Sequence, residues 1–152
     1  MKKVLIAIDY NPVSEKIAHT GYKLAKQLGA KVCLMHVITD ISFYGVQYPT
    51  FMGYDGYSGI NAELHLASEM GKVAEDFLES ASQHLNDPMV STYLGEGDTA
   101  KTILKYSETW NADLIVLGTH SHSALEKLLM GTVASSVMEK TKIPLFMVPI
   151  KK

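Results

Sequence analysis

The chain has 152 residues, 47% of them hydrophobic and 20% charged, which predicts a single globular domain over residues 1–152 with a buried core. Fourteen basic residues against sixteen acidic ones give a formal charge of −2. This balance argues against nucleic-acid binding, because phosphate contacts need a basic surface. The single cysteine, Cys33, excludes a disulfide framework within the chain and is predicted to be a small buried side chain.

The first residues do not fit a secretion signal. Asp9 interrupts the apolar run 4–8 too early for the hydrophobic region of a signal peptide. No apolar run approaches the roughly 20 residues that cross a membrane. We therefore expect a cytoplasmic protein that does not enter a membrane, and the lack of disulfides fits a reducing compartment.

Short apolar runs alternate with helical patterns along the chain. The helix after the first run is predicted to stop at Gly29, Pro88 blocks the next helix, and Asp98 is predicted to cap a third. Strands alternating with helices imply right-handed crossovers and a parallel sheet with helices on both faces, a doubly wound, Rossmann-like α/β domain. The predicted strands are residues 4–8, 32–37, 89–94, 114–117 and 145–148.

One connection is too long for an ordinary loop. The segment from Thr39 to about Ile60 contains four glycines, a proline and six aromatic residues, and loops beyond roughly 12–15 residues are uncommon in compact domains. Two interpretations remain open: a lid or aromatic surface for a protein partner, or a surface excursion that packs on the domain itself.

Two glycines near the fourth strand indicate an anion site. Gly118 ends the apolar run 114–117, and Gly131 with Thr132 opens the next helical pattern. Unblocked backbone N–H groups and a helix N-terminus both favour phosphate. The match Gly95 to Ala100 to a dinucleotide fingerprint is interpreted instead as a turn into a helix cap, because its acidic residues would repel a pyrophosphate.

The spacing from Gly118 through Ser121 to Gly131-Thr132 resembles the G-x2-G-x9-G-[S/T] signature of the nucleotide-binding branch of the universal stress protein family. Further segments resemble that family's strands and third-helix entry in the same order: residues 3–9, 34–37, 97–103, 112–118 and 143–149. The resemblance implies a five-stranded parallel sheet in the order 3-2-1-4-5. It also implies a homodimer formed through the last strand, Leu145 to Val148.

The resemblance further implies which residues contact an adenine nucleotide. Residues of the first strand end contact the nucleoside, with Asp9 near the ribose hydroxyls, and Val37 makes a backbone contact to adenine. The fourth strand end flanks the ribose-phosphate, and the Gly131 turn holds phosphates. The full predicted set is Ala7, Ile8, Asp9, Val37, Leu117, Gly118, Ser121, Gly131, Thr132, Val133 and Ala134.

Asp9 is predicted independently of the resemblance. It follows the first strand, next to the point where strand order reverses, and ligands of open α/β sheets bind there. A carboxylate at this place can accept hydrogen bonds from two hydroxyl groups. The alternative is an Asx turn into Asn11-Pro12.

Ser121 stands where the family signature has glycine. If this position needs a positive φ, a residue with a Cβ atom costs about 1–2 kcal/mol, and each 1.4 kcal/mol is about tenfold in affinity. The serine hydroxyl could recover part of this by donating to a phosphate. Nucleotide binding is therefore the leading hypothesis, and a dimeric adaptor without nucleotide is the alternative.

The expected function is to bind ATP (or AMP/ADP) with Mg2+, as a nucleotide-responsive regulatory or protective homodimer. Magnesium would be held mainly by phosphates and water. A slow ATPase or autokinase is the other alternative, although no general base and no catalytic residue are evident. His120 and His122 lack the spacing of metal ligands, and His36 is interpreted as a satisfied, partly buried histidine.

Overall fold

The computed structural model describes residues 2–39, 59–119 and 130–150, with the backbone alone described for 59–68. Five strands and four helices alternate within these residues. They are β1 (Lys3–Ala7), α1 (Ser14–Gln27), β2 (Lys31–Ile38), α2 (Gly59–His84), β3 (Ser91–Glu96), α3 (Thr99–Thr109), β4 (Leu114–Gly118), α4 (Thr132–Lys140) and β5 (Leu145–Val148).

The five strands form one parallel sheet in the order β3-β2-β1-β4-β5, which confirms the predicted topology. In the central strand, Ile6 lies opposite Leu34 on one side and Val116 on the other. Strand order reverses between β1 and β4, so a crevice opens at their carboxyl ends, where open α/β sheets bind ligands.

Alternate side chains of each strand build two separate cores, one on each face of the sheet. Helices α1 and α2 cover the face that carries Ile6, whereas α3 and α4 cover the face that carries Leu5. Cys33 is fully buried in the second core, and burial raises the pKa of its thiol. The predicted arrangement of helices on both faces is confirmed.

The turn between β3 and α3 is the helix cap that the sequence predicts. Gly97 has a φ of +115°, in the region that favours glycine. The Asp98 side chain then accepts a hydrogen bond from the backbone N–H of Lys101 at 2.9 Å. This match to a dinucleotide fingerprint is therefore a capping turn.

The third strand begins at Ser91, two residues later than predicted, because Asp87 forms a tight turn. Its Oδ1 accepts from the Met89 N–H at 2.9 Å, and its carbonyl accepts from the Val90 N–H at 3.2 Å. The Lys26 ammonium donates to the Oδ2 atom of Asp87 at 2.9 Å. This hydrogen bond is the main cause that lowers the pKa of Asp87 to about 2. The N–H groups of Met89 and Val90 are bonded within this turn, so they are not free to pair with a neighbouring strand.

Several sequence predictions fall outside the described residues: the aromatic segment over residues 40–58, and His120, Ser121 and His122. Of the helices in the part that is described, none is long and apolar enough to cross a membrane.

Candidate functional site

A pocket of about 290 Å³ lies at the carboxyl edge of the sheet. It is bounded by the ends of β1, β2 and β4 and by the first turn of α4. Ten of the eleven predicted site residues line it, and Ser121 lies outside the described residues. The ten are Ala7, Ile8, Asp9, Val37, Leu117, Gly118, Gly131, Thr132, Val133 and Ala134. The fold thus brings the predicted set together, and its contacts with a ligand stay a prediction.

Asp9 lines the pocket and also forms the Asx turn that was its alternative role. Its Oδ1 accepts from the N–H of Asn11 and from the Ser14 hydroxyl, both at 2.9 Å. Ser14 is buried and accepts from the Asp9 N–H at 3.0 Å. No described residue donates to the second carboxylate oxygen, Oδ2. One oxygen therefore shapes the loop, while the other is available to a ligand hydroxyl.

The N-terminus of α4 has the features of an anion site. Gly131 is its N-cap, with extended backbone (φ −68°, ψ 160°) and no side chain to cap the helix. The first intrahelical bond runs from the Ser135 N–H to the Gly131 carbonyl at 2.9 Å. The N–H groups of residues 132–134 therefore have no intrahelical acceptor, and the helix dipole adds positive potential there.

Gly118 is needed for packing as well as for backbone access. A Cβ atom here would lie 2.5 Å from Cδ1 of Ile17 and 2.7 Å from Cδ1 of Ile150. Real Cβ atoms essentially never approach other atoms so closely. The glycine lets α1 and the chain after β5 close over the end of β4, directly beside the pocket.

His36, predicted to be a satisfied, partly buried histidine, is buried and has a partner at only one ring nitrogen. Its Nδ1 lies 2.9 Å from the carbonyl oxygen of Ile8, which can only accept, so Nδ1 carries the proton. Nε2 has no partner among the described residues. The ring packs against Tyr10 and Phe77, with centroids 4.5 and 5.2 Å away. Burial lowers the pKa of His36, opposed by the Ile8 carbonyl and the Asp9 charge.

The pocket also contains residues that sequence reasoning missed. Their common feature is position: most follow or end a strand at its carboxyl edge, or face that edge from a helix. A search of every strand end would have found Tyr10, Thr99 and Thr119, but nothing in the sequence marks the helix positions. The missed residues are Tyr10, Ile17, Met35, His36, Ile38, Thr39, Met70, Thr99, Ile103 and Thr119.

The charge of the pocket is simple. Asp9 is the sole carboxylate among its described lining residues, and these include no lysine; the chain contains no arginine at all. In the described part of the chain, no three His, Cys, Asp or Glu side chains cluster as metal ligands. Phosphate binding here would depend on backbone N–H groups and the helix dipole.

Comparison with known proteins agrees with this geometry. The model of the universal stress protein family matches residues 1–149. The chain belongs to this family. Among curated members, the universal stress protein MJ0531 of Methanocaldococcus jannaschii is 29% identical over 147 residues, which cover 97% of this chain and 81% of that one.

Solved structures of the family share the fold. The structure of MJ0577 from the same organism superposes with a TM-score of 0.79 at 25% identity, covering 99% of this chain and 97% of that one. A universal stress protein from Archaeoglobus fulgidus in complex with dAMP has a TM-score of 0.56 at 15% identity, covering 97% of each chain. At that identity the second likeness shows the fold alone.

Proposed function

We propose that this member of the family binds an adenine nucleotide, ATP or AMP/ADP, with Mg2+. One observation carries the proposal: the uncapped N-terminus of α4 and the carboxylate of Asp9 meet in a single pocket at the reversal point of the sheet. Backbone N–H groups suit phosphates, and a carboxylate acceptor suits ribose hydroxyls. Within the same family, the Archaeoglobus protein is solved in complex with dAMP, a nucleotide of this class.

The pocket wall opposite the phosphate end suits a flat base. Val37 and the partly buried Ala7 line the pocket with apolar surface and pack in the core between the sheet and α3. A mostly apolar pocket with a few converging polar groups is typical of small-molecule sites. In this proposal adenine lies against these side chains and contacts the Val37 backbone, while phosphates extend toward α4.

The donor set of the pocket fits magnesium that arrives with the nucleotide. Mg2+ keeps several waters and is usually bound by one or two carboxylates together with substrate phosphates. Asp9 is the one carboxylate of the described lining, and its Oδ1 already has two protein donors. We therefore assign the metal to phosphates and water. The same scarcity of acid and base groups favours binding over efficient turnover.

The proposal includes a homodimer formed through β5. This strand pairs with β4 and is an edge of the sheet, so its outer backbone groups can pair with a second strand. Phe146 of this strand remains 36% exposed. A nucleotide-responsive homodimer of this kind would act as a regulatory or protective module. Sedimentation velocity with and without Mg-ATP measures its assembly.

The experiment for nucleotide binding has two parts. Mass spectrometry of ligand released from freshly purified protein should show an adenine nucleotide. Calorimetric titration of nucleotide-free protein with Mg-ATP should give one site per chain, and Ser121→Gly should bind at least as tightly. No retained nucleotide and no heat for either protein would favour the adaptor alternative.

A further inference from the structure

We infer that Ile150, which does not line the pocket, sets nucleotide affinity by holding Thr119 against the phosphate-binding turn. The inference rests on the proposed function, because it concerns how that same site is positioned. It concerns the junction of three elements: the end of β4, the start of α4 and the chain that leaves β5. Thr119 directly follows β4 and is hydrogen-bonded to the other two elements, so it acts here as a positioning residue.

Thr119 is bonded to both of the other elements. Its N–H donates to the carbonyl of Val148 at 3.1 Å, which extends the pairing of β4 with β5. Its carbonyl accepts from the N–H of Gly131 at 2.6 Å, and its hydroxyl oxygen accepts from the N–H of Ile150 at 3.0 Å. One residue thus fixes the N-cap of α4 and the residue two positions beyond β5.

The side chain of Ile150 secures this junction from outside the pocket. Its Cδ1 reaches to within 2.7 Å of the place where a Cβ on Gly118 would lie, next to Ile17 of α1. The Lys16 ammonium donates to the carbonyl of Pro149 at 3.2 Å. The chain after β5 is therefore anchored to α1 by the Lys16 hydrogen bond and to Thr119 by the Ile150 hydrogen bond, and the Ile150 side chain packs on the core that contains Ile17.

These contacts matter for phosphate binding because the proposed donors are backbone groups. The N–H groups of residues 132–134 cannot reorient as side chains do, so their aim follows from the position of Gly131. A site whose donors are already aimed loses less conformational freedom on binding. If Ile150 no longer holds Thr119, the backbone at Gly131 becomes more mobile. Nucleotide binding must then order this backbone, which lowers the affinity.

Two substitutions weaken the junction in different ways, without touching the pocket's phosphate donors. Thr119→Val keeps the N–H, the carbonyl and the shape of the side chain but removes the oxygen that accepts from Ile150. Ile150→Ala keeps the backbone N–H that donates to Thr119 but removes the side chain that covers Gly118. Thr119→Ser restores the hydroxyl, and Ile143→Ala is a matched control: it trims another partly buried isoleucine, at the opposite end of β5.

The test combines Mg-ATP calorimetry with amide hydrogen exchange of the nucleotide-free protein. Thr119→Val and Ile150→Ala should each weaken Mg-ATP binding by roughly fivefold to tenfold, whereas Thr119→Ser and Ile143→Ala should stay within twofold of the wild type. Exchange at residues 131–134 should accelerate in the first two variants alone. Because Ile143→Ala also removes apolar contacts, a loss of affinity that merely follows lower stability would appear in it too.

Two results would overturn the inference. One is Mg-ATP affinity within twofold of the wild type in both Thr119→Val and Ile150→Ala. The other is unchanged exchange at residues 131–134 in both variants. The exchange measurement needs no nucleotide, so it tests the junction even if the wild type binds no Mg-ATP. Absence of Mg-ATP binding in the wild type would count against the proposed function and not against the junction.

Discussion

The hydroxyl of Ser14 donates to Oδ1 of Asp9 at 2.9 Å and accepts from the Asp9 N–H at 3.0 Å. These two hydrogen bonds fix the loop between β1 and α1 and occupy one carboxylate oxygen of Asp9, Oδ1. The other oxygen remains for a ligand. Asp9 therefore has a structural and a proposed binding role that a substitution can separate.

Asp9→Asn tests the binding role. Asparagine keeps one carbonyl oxygen for the Asx turn but loses the charge that strengthens a hydrogen bond to ribose. Hydrogen bonds to charged groups contribute about 1.5–3 kcal/mol, so we expect Mg-ATP affinity in calorimetry to fall roughly tenfold to a hundredfold, with little change in Tm. Ser14→Ala should show the reverse, a lower Tm and a smaller loss of affinity. Equal losses of affinity in both variants would refute the separation.

Gly131→Asp should change stability and nucleotide affinity in opposite directions. An aspartate at this extended N-cap can accept from the first-turn N–H groups of α4, and replacing a good cap by glycine costs only a few tenths of a kcal/mol. Denaturant unfolding should therefore show a small gain in stability. Mg-ATP binding should be largely lost, because the carboxylate occupies the donors and repels phosphate. Gly131→Asn, an uncharged cap of the same size, should lose less affinity; the account fails if Gly131→Asp binds as the wild type does.

The buried ring of His36 predicts a pH dependence of folding. Its folded pKa lies below the reference value of 6.5, so the unfolded chain takes up a proton first as pH falls through 6.5. Stability should therefore fall below that pH and level off beneath the folded pKa. His36→Phe should flatten this slope in urea unfolding between about pH 5 and 7, whereas His19→Gln, on the exposed side of α1, should leave it unchanged. The same slope in wild type and His36→Phe would contradict the assignment.

Gly118→Ala tests the close approach at the end of β4. The new Cβ would press on the Cδ1 atoms of Ile17 and Ile150, and overpacking of this kind costs about 1–3 kcal/mol. Ile17→Val removes one of those two atoms and should recover part of the loss. A double-mutant cycle of unfolding free energies measures the coupling. Strict additivity would show that the two residues do not compete for the same space.

Much of the sheet and of the pocket could be predicted from the sequence because both depend on local patterns. The apolar runs of β1 and β4 allow one strand each, and residues that follow parallel strands must meet at one edge. This is why Asp9 and Gly118 could be placed at one edge without coordinates, whereas Val37 was predicted from the resemblance to the family. The start of β3 was misplaced because a turn at Asp87, rather than hydrophobicity, decides which amides are free to pair.

Other features had no local signal. The junction of Thr119 with Ile150 joins residues 31 positions apart through one hydroxyl, and any surface threonine looks the same in a sequence. The position of His36 at a strand end does not indicate that Tyr10 and Phe77 pack against its ring. Gly118 was attributed to backbone access alone, because the close approach of Ile17 and Ile150 is a property of the packed helices.

The most direct test of the central claim is a backbone amide NMR titration of the full chain with Mg-ATP. We expect saturable shifts that cluster at the first turn of α4 and at the ends of β1, β2 and β4, with the largest changes at residues 132–134. Mg2+ alone should leave these amides unchanged. Saturable shifts confined to the opposite edge of the sheet, or none at millimolar Mg-ATP, would contradict the assignment of this pocket as the nucleotide site.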